Sequence, residues 1–194
     1  MNVRSLLPLA ALAAACAGSP AVPARSTAQA PADFFPLAIG NEWVYRDESP
    51  ALPADRRGTP RTVRIVERTS DGYFRDNERG ELRADPDCLH DRSRRLLCVP
   101  LEKGRTWSSV VSVSSTERSE IAGVDEVVET PAGRFGGCVR VRAHNRAAPG
   151  ADHVLEITYA PGVGPVRLET FAVIEGKAAP QVRAVLQTYR VGGR

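Results

Sequence analysis

The stretch GGCVRVRAH (residues 136–144) decides the fold, because its apolar and charged residues alternate. Val139, Val141 and Ala143 fall on one face of an extended chain, whereas Arg140 and Arg142 fall on the other. Successive side chains of a β-strand point to opposite faces, so this pattern predicts a strand with one face in the core. The pattern recurs in HVLEITYA (153–160) and at the start of VRLETFAVI (166–174), so we expect antiparallel neighbours.

Similar short runs, separated by Gly, Pro, Asp and Asn, continue along most of the chain and predict an all-β single domain. About ten strands in one domain must curl to bury a face, so we expect a strongly bent antiparallel sheet, either a half-barrel or a barrel. Little helix is predicted beyond one short turn at residues 33–35, capped by Asp33. The predicted strands cover residues 42–48, 62–69, 73–76, 81–84, 95–99, 106–115, 117–129, 137–145, 153–160, 166–174 and 182–191.

The amino-terminal residues, MNVRSLLPLAALAAAC, have the layout of a secretory signal peptide. The uncharged run from Ser5 to Ala15 is shorter than the roughly 20 residues needed to span a bilayer. The segment LAAAC ending at Cys16 resembles a bacterial lipobox, in which small residues precede a cysteine that is diacylated and becomes the first mature residue. Cleavage by the ordinary signal peptidase near the same position is the alternative.

These features predict three parts of the chain. Residues 1–15 form the signal peptide, residues 16–32 the lipidated Cys16 with a flexible tether, and residues 33–194 the β-sheet domain. Ala17 follows the cysteine, so the Asp that retains lipoproteins in the inner membrane is absent. For a Gram-negative bacterium, the lipobox resemblance therefore implies an anchor of palmitate type in the inner leaflet of the outer membrane, facing the periplasm.

The charge pattern argues against nucleic acid as a partner. The formal net charge is +3, with 26 Lys and Arg against 23 Asp and Glu. The Arg residues are interleaved with Asp and Glu, and no basic stripe with interleaved aromatic residues is present.

Cysteine usage predicts a disulfide. Cys88 and Cys98 bracket the polar segment CLHDRSRRLLC, and an oxidising compartment favours their pairing, although pairing of either with Cys138 stays open. This segment and the residues just before it hold a cluster of side chains of the kind that bind metals. Because this segment is typical of a solvated loop, we predict neither a metal nor a cofactor there. The cluster comprises Asp85, Asp87, Cys88, His90, Asp91 and Cys98.

No stretch predicts catalytic residues. Cys138 shares a predicted strand face with Arg140, Arg142 and His144, and nearby cations could make a thiol reactive. We favour cross-strand ion pairs of these Arg residues with partners such as Glu156 and Glu169, with an anion or headgroup site as the alternative.

The phrase P-L-x-x-G-x-x-W occurs twice, at residues 36–43 and 100–107. Gly40 and Gly104 permit a positive φ at the approach to a strand. Trp43 and Trp107, the only tryptophans, are predicted as core side chains, with a ligand pocket lined by this aromatic pair as the alternative. The repetition suggests two similar half-sheets.

Three segments resemble, in the same order, the pattern of a broad and functionally undefined group of bacterial envelope lipoproteins. They are FFPLAIGNEWVY (34–45), ETPAGRFGGCVRV (129–141) and YAPGVGPVRLE (159–169), against FPLxxGxxWxY, PAGxFxxCxxV and YAxGVGxVxxE. The predicted bent sheet is also similar in architecture to lipoproteins that carry lipids across the periplasm, although fold does not imply function.

Together these features give a leading hypothesis. The protein would be a non-enzymatic, lipid-anchored envelope protein that binds an apolar or amphiphilic ligand, such as a lipid, or an envelope partner protein. A purely structural or docking module is one alternative. An enzyme of the hydrolase or thiol type, centred on Cys138 or His90, is the other.

Overall fold

The computed structural model describes residues 30–50, 52–53 and 57–192, and these contain twelve strands and one short 3₁₀-helix at Pro31–Asp33. The strands are β1 (Glu42–Asp47), β2 (Pro60–Arg68), β3 (Phe74–Asp76), β4 (Glu81–Ala84), β5 (Cys88–His90), β6 (Arg95–Cys98), β7 (Thr106–Ser112), β8 (Ser115–Thr130), β9 (Gly133–Ala148), β10 (Ala151–Ala160), β11 (Gly164–Ile174) and β12 (Lys177–Arg190).

All twelve strands belong to one antiparallel sheet that is bent almost into a closed barrel. Strands β1–β6 form one meander and β7–β12 form a second, and the pairing of β1 with β12 joins the two. The free edges β6 and β7 then meet on the far side. The prediction of an all-β single domain with a strongly bent antiparallel sheet is confirmed. Strand β5 is absent from the predicted list because its three residues are too few to show a period.

The alternation that predicted the sheet is visible in the burial of its residues. On β9, Val139, Val141 and Ala143 are buried, whereas Arg140 and Arg142 are half-buried on the opposite face. The register places Val141 between Ile121 of β8 and Ile157 of β10, so the inner face is continuous across the three strands.

Large side chains fill the inner face of the sheet. Each of them is less than 2% exposed, and burying a side chain of this kind stabilises the fold by roughly 1.5–3 kcal/mol. The largest are Trp43, Tyr159, Ile65, Leu89, Leu97, Ile121 and Leu186. A void of about 10 Å³ beside Glu117 and Ser119 is of the size of a single water molecule.

The β8–β9 hairpin is long and folds back over β12. Register shifts between Ile121 and Val128 bend β8. The tip of the hairpin then reaches β12, where the Ala132 amide donates to the Leu186 carbonyl at 3.2 Å. Phe135 and Tyr189 bring their ring centroids to 6.1 Å.

Two local predictions have different outcomes. Gly162 has φ of 72°, and the Val163 amide donates to the Ala160 carbonyl at 3.2 Å, as the central Pro-Gly pair of a type II turn requires. The predicted cap at Asp33 is wrong, because the 3₁₀-helix ends at this residue. The Asp33 carboxylate instead accepts a hydrogen bond from the Ala30 amide at 3.2 Å, at the start of the helix. No helix among the described residues is long and apolar enough to cross a bilayer.

Candidate functional site

The two copies of P-L-x-x-G-x-x-W make the same turn. Gly40 and Gly104 have φ values of 92° and 89°, which favour glycine. The Gly40 amide donates to the Ile65 carbonyl at 2.9 Å, and the Gly104 amide donates to the Ile121 carbonyl at 2.8 Å. Both isoleucines are fully buried, so each copy fixes the start of a strand against the strand that follows it.

Trp43 lies in the core, where its indole Nε1 donates to the Val163 carbonyl at 2.7 Å. The Phe35 ring meets its ring edge to face, with centroids 4.9 Å apart. Gly164 has φ of 118°, and a Cβ atom there would lie 3.1 Å from the Trp43 Nε1. The absence of a side chain at this glycine therefore allows the close packing of Trp43.

Trp107 lies at the seam between β6 and β7, the place where the barrel is not closed by strand pairing. Its Nε1 donates to the Arg95 carbonyl at 2.7 Å. The Arg95 amide donates to the Ser109 hydroxyl at 3.0 Å. Side chains of β7 therefore satisfy both backbone polar groups of Arg95 and take the place of backbone hydrogen bonds between β6 and β7. Neither tryptophan lines the pocket described next.

Among the described residues, a pocket of about 430 Å³ next to the start of β1 has room for a ligand. The approach segment (residues 34–41), which precedes β1, forms one wall, and β2, β3 and β4 contribute the other. Its volume lies within the roughly 300–1,000 Å³ of ligand sites. The lining residues are Ala32, Phe35, Pro36, Leu37, Ala38, Asn41, Arg68, Gly72, Phe74, Arg83, Ala84, Asp85 and Gly192.

The polar groups of this pocket differ in how many hydrogen bonds and ion pairs they already make within the protein. The Asn41 side chain donates to the Pro36 carbonyl at 2.7 Å and accepts from the Gly192 amide at 2.9 Å, so it supports the approach segment. Asp85 lies 2.8 Å from His90 Nε2 and 3.2 Å from Arg83 Nε. Desolvation tends to raise the pKa of Asp85, but its contacts with His90 and Arg83 outweigh this and hold the pKa below its usual range.

The guanidinium groups of the pocket rest on aromatic rings. Arg68 lies 5.4 Å from the centroid of Phe74, and Arg83 lies 4.8 Å from the centroid of Tyr73. Arg92 covers the Tyr73 ring at 3.8 Å. Such cation–π contacts position the charges without neutralising them.

His90 belongs to the same cluster. Among the described residues, its hydrogen-bond partners are Asp85, the Tyr73 hydroxyl at 3.5 Å and the Asp91 carbonyl at 3.3 Å. None of these is a Ser, Thr or Cys nucleophile, so the geometry gives the enzyme alternative centred on His90 no activated nucleophile. The described residues contain no group of three or more Asp, Glu, His or Cys side chains arranged to hold a metal.

The described cysteines have distinct states. Cys88 and Cys98 form the predicted disulfide, between directly paired residues of β5 and β6. Cys138 is a free, fully buried thiol that donates to the Phe135 carbonyl at 3.5 Å. Burial, and to a smaller extent the carboxylate of Glu126, raises the pKa of Cys138 to about 11. The burial and the raised pKa argue against a reactive thiol at Cys138, because only the thiolate is nucleophilic.

The Arg residues of β9 are ion-paired. Arg140 contacts Glu126 at 2.9 Å and Glu156 at 3.2 Å. Arg142 contacts Glu156 at 2.6 Å, as the cross-strand prediction expected. Glu169 pairs instead with Arg183, at 3.5 Å. Because Arg140 and Arg142 already have partners, they are not free to bind an anion.

The predicted lipidation site lies outside the described residues, and three residues of the pocket were not predicted as site residues. Cys16, the predicted lipidation site, lies outside the described residues. Arg68, Phe74 and Arg83, which contribute to the pocket, were absent from the predicted site residues because each of them looks like an ordinary strand residue in the sequence.

Comparison with known proteins establishes the fold alone. No protein-family model and no curated protein matches the chain. A solved structure from Bacteroides fragilis, of a predicted exported protein with a YmcC-like fold, is similar with a TM-score of 0.51 and 16% identity, over 84% of this chain and 100% of that one. A predicted lipoprotein from Parabacteroides distasonis gives a TM-score of 0.43 and 14% identity, over 85% of this chain and 100% of that one.

Proposed function

We propose that the protein is a lipid-anchored envelope protein that binds an amphiphilic ligand in the pocket beside β1, without chemical turnover. The observation that carries this proposal is a pocket of about 430 Å³ that combines apolar walls with charged groups at its rim. Phe35, Leu37 and Phe74 supply apolar surface, and Arg68 and Arg83 supply charge. Pockets of this mixed character suit molecules with an apolar chain and a polar head.

The position of the pocket supports a role close to a membrane. Ala32, which lines it, is the last residue of the predicted tether, and Phe35, which also lines it, lies three residues further on. The 15 residues from Cys16 to Ala30 span at most about 50 Å when extended. If Cys16 carries the lipid, the pocket stays within this distance of the bilayer surface. The likeness of the fold to a predicted exported protein agrees with an envelope location.

Ala38→Trp tests ligand binding in this pocket. Ala38 is exposed and lines the pocket, so a Trp side chain can occupy the volume without disturbing the buried core. We expect native mass spectrometry of the otherwise unaltered soluble domain, with Cys16 removed and recovered from its own periplasm without detergent, to show a bound amphiphile that the same domain carrying Ala38→Trp loses. A ligand-free wild-type spectrum, or an equal ligand load on both proteins, would contradict the proposal.

Cys16→Ser tests the anchor separately. The substituted protein should not incorporate radioactive palmitate and should move from the membrane fraction to the soluble fraction. Unchanged labelling or fractionation would refute lipidation at Cys16, whatever the outcome for the pocket.

A docking module remains a second candidate because the inner face of the sheet is filled, as expected for a domain that binds proteins on its surface. This candidate predicts an envelope protein that crosslinks to the wild type and to Ala38→Trp alike. If the function depends instead on a ligand bound in the pocket, Ala38→Trp should change the fraction of ligand-loaded protein and leave such crosslinks unaltered.

A further inference from the structure

We propose that the pocket selects amphiphiles with an anionic headgroup, a phosphate or a carboxylate, held by Arg68 and Arg83 while the apolar chain lies against Phe35, Leu37 and Phe74. This inference rests on the proposed function, since it names the class of ligand for the same pocket. Neutral and cationic amphiphiles of equal chain length are the classes that it excludes.

Arg68 carries the first part of the argument. Among the described residues, no carboxylate forms an ion pair with its guanidinium, and its only charge-related contact is with the Phe74 ring at 5.4 Å. Neighbouring arginines differ from it. Arg64, also on β2, contacts Glu42, and Arg75 on β3 contacts both Glu67 and Glu81. Arg68 thus retains its hydrogen-bond donors at the rim of a pocket where none of the described protein groups uses them.

Arg83 carries the second part. Its Nε is buried and has no hydrogen-bond partner in the described part of the chain, although Asp85 Oδ1 lies 3.2 Å away in a poorly aligned position. Its Nη2 is 3.4 Å from Asp85 Oδ2, and its Nη1 is 3.5 Å from the Asp71 carbonyl. These contacts lie at the outer limit of hydrogen bonding, so a ligand oxygen could displace them at little cost. The Tyr73 ring, at 4.8 Å, keeps the guanidinium in place.

The local charge balance favours an anion. Arg68 and Arg83 bring two positive charges and Asp85 one negative charge, which leaves +1 at the rim. Asp85 is shared between Arg83 and His90, so it does not neutralise Arg68. Guanidinium groups bind carboxylate and phosphate oxygens with two parallel hydrogen bonds, whereas a sugar or an ammonium headgroup offers no matching charge.

Isothermal titration calorimetry on the domain lacking residues 1–16 distinguishes the headgroups. The probes are dodecyl phosphate, dodecyl maltoside and dodecyltrimethylammonium, each below its critical micelle concentration, and inorganic phosphate as the headgroup without a chain. We expect dodecyl phosphate to bind at least about tenfold more tightly than the other two amphiphiles, and inorganic phosphate more weakly still.

Variants at the rim assign the selectivity to named residues. Arg68→Gln should weaken dodecyl phosphate by about tenfold and leave dodecyl maltoside unchanged, while Arg68→Lys should retain part of the preference. Arg83→Gln should act in the same direction. Arg118→Gln is the matched control, since Arg118 is exposed on β8, away from the pocket, and has no ion pair among the described residues. Arg68 is itself exposed, so its replacement should leave the fold intact.

The outcomes separate the two proposals. Equal binding of dodecyl phosphate and dodecyl maltoside, both lost in Ala38→Trp, would overturn the anionic preference and leave the pocket as an amphiphile site. Binding of none of the amphiphiles, or binding that Ala38→Trp does not change, would overturn the proposed function itself. Inorganic phosphate that binds as tightly as dodecyl phosphate would show that the chain contributes nothing, and would overturn the inference.

Discussion

Replacement of Trp107 by Phe tests how the barrel is held shut. Among the described residues, β6 and β7 share no backbone ladder, and the Trp107 Nε1 bonds to the Arg95 carbonyl at 2.7 Å across the gap. Phe keeps most of the apolar ring and removes this donor. We therefore expect the seam to open locally before the rest of the sheet unfolds.

The magnitude follows from two losses. The hydrogen bond contributes about 1 kcal/mol net, and the Arg95 carbonyl can regain water because Arg95 is exposed. Two ring carbons are also lost from a side chain that is only 7% exposed, at about 0.8 kcal/mol for each buried carbon group. The free energy of unfolding should therefore fall by about 2–3 kcal/mol.

Trp43→Phe is the matched control, because Trp43 makes the same kind of bond in the other copy of the phrase. Its acceptor, the Val163 carbonyl, is buried, and its ring also contacts Phe35. Leaving a buried acceptor unpaired and losing part of an aromatic contact should bring the cost to about 4 kcal/mol. Urea unfolding monitored by circular dichroism measures both changes.

Hydrogen exchange followed by mass spectrometry distinguishes the local effect from the global one. In Trp107→Phe, peptides covering β6 and β7 should exchange faster than those covering β1 and β12. In Trp43→Phe, exchange should rise with the overall loss of stability and show no preference for the seam. Equal protection of the seam peptides in wild type and Trp107→Phe would refute the argument that this side chain closes the barrel.

Three further predictions concern stability and the thiol. Replacing both Cys88 and Cys98 by Ser should lower the free energy of unfolding by about 3 kcal/mol, because the disulfide no longer restricts a loop with a sequence separation of ten in the unfolded chain. A reductant should lower the urea midpoint of the wild type alone. Glu117→Gln should stabilise the protein by about 1 kcal/mol at pH 7.5, because burial raises the pKa of this carboxyl and Arg94, at 4.0 Å, offsets it only in part. Because the pKa of Glu117 is raised in the folded state, the folded protein still holds a proton at pH values where the unfolded chain has released it. The free energy of unfolding therefore falls as pH rises above 4.5. A pH series of thermal melts should show a weaker fall in the variant. Cys138 should resist Ellman's reagent at pH 8 until urea unfolds the protein, and rapid labelling of the native state would contradict its burial.

The strands could be predicted because their residues alternate over lengths that local sequence reveals. Residues 81–84 were predicted with the bounds that the structure has, and β10 and β11 differ from the prediction by two residues at their starts. Strand β5 was missed since Cys88–His90 is short and follows the Asp85-Pro86-Asp87 turn. The ends of β8 and β9 extend beyond the prediction because hairpin pairing continues where alternation has stopped.

The pocket could not be predicted in the same way. Its residues come from the approach segment, the end of β2, β3 and β4, and no local pattern relates these segments to one another. Arg68 and Arg83 look like the outward-facing charges of a solvated strand. What distinguishes Arg68 from Arg64 is that no carboxylate of residues 30–50, 52–53 or 57–192 pairs with it, and only the folded sheet decides that.

The two halves of the sheet differ in a way that explains where the pocket lies. Both copies of the repeated phrase make the same turn, and each anchors its glycine to a buried isoleucine. In the second half, the turn leads through β7 to strands of sixteen residues. In the first half, β2 leads to four strands of only three or four residues each. We infer that these short strands leave one side of the approach segment uncovered, so that Phe35 and Leu37 face an opening. The proposed ligand site is then a property of the shortened half, and the repeated phrase is the scaffold that holds its wall in place.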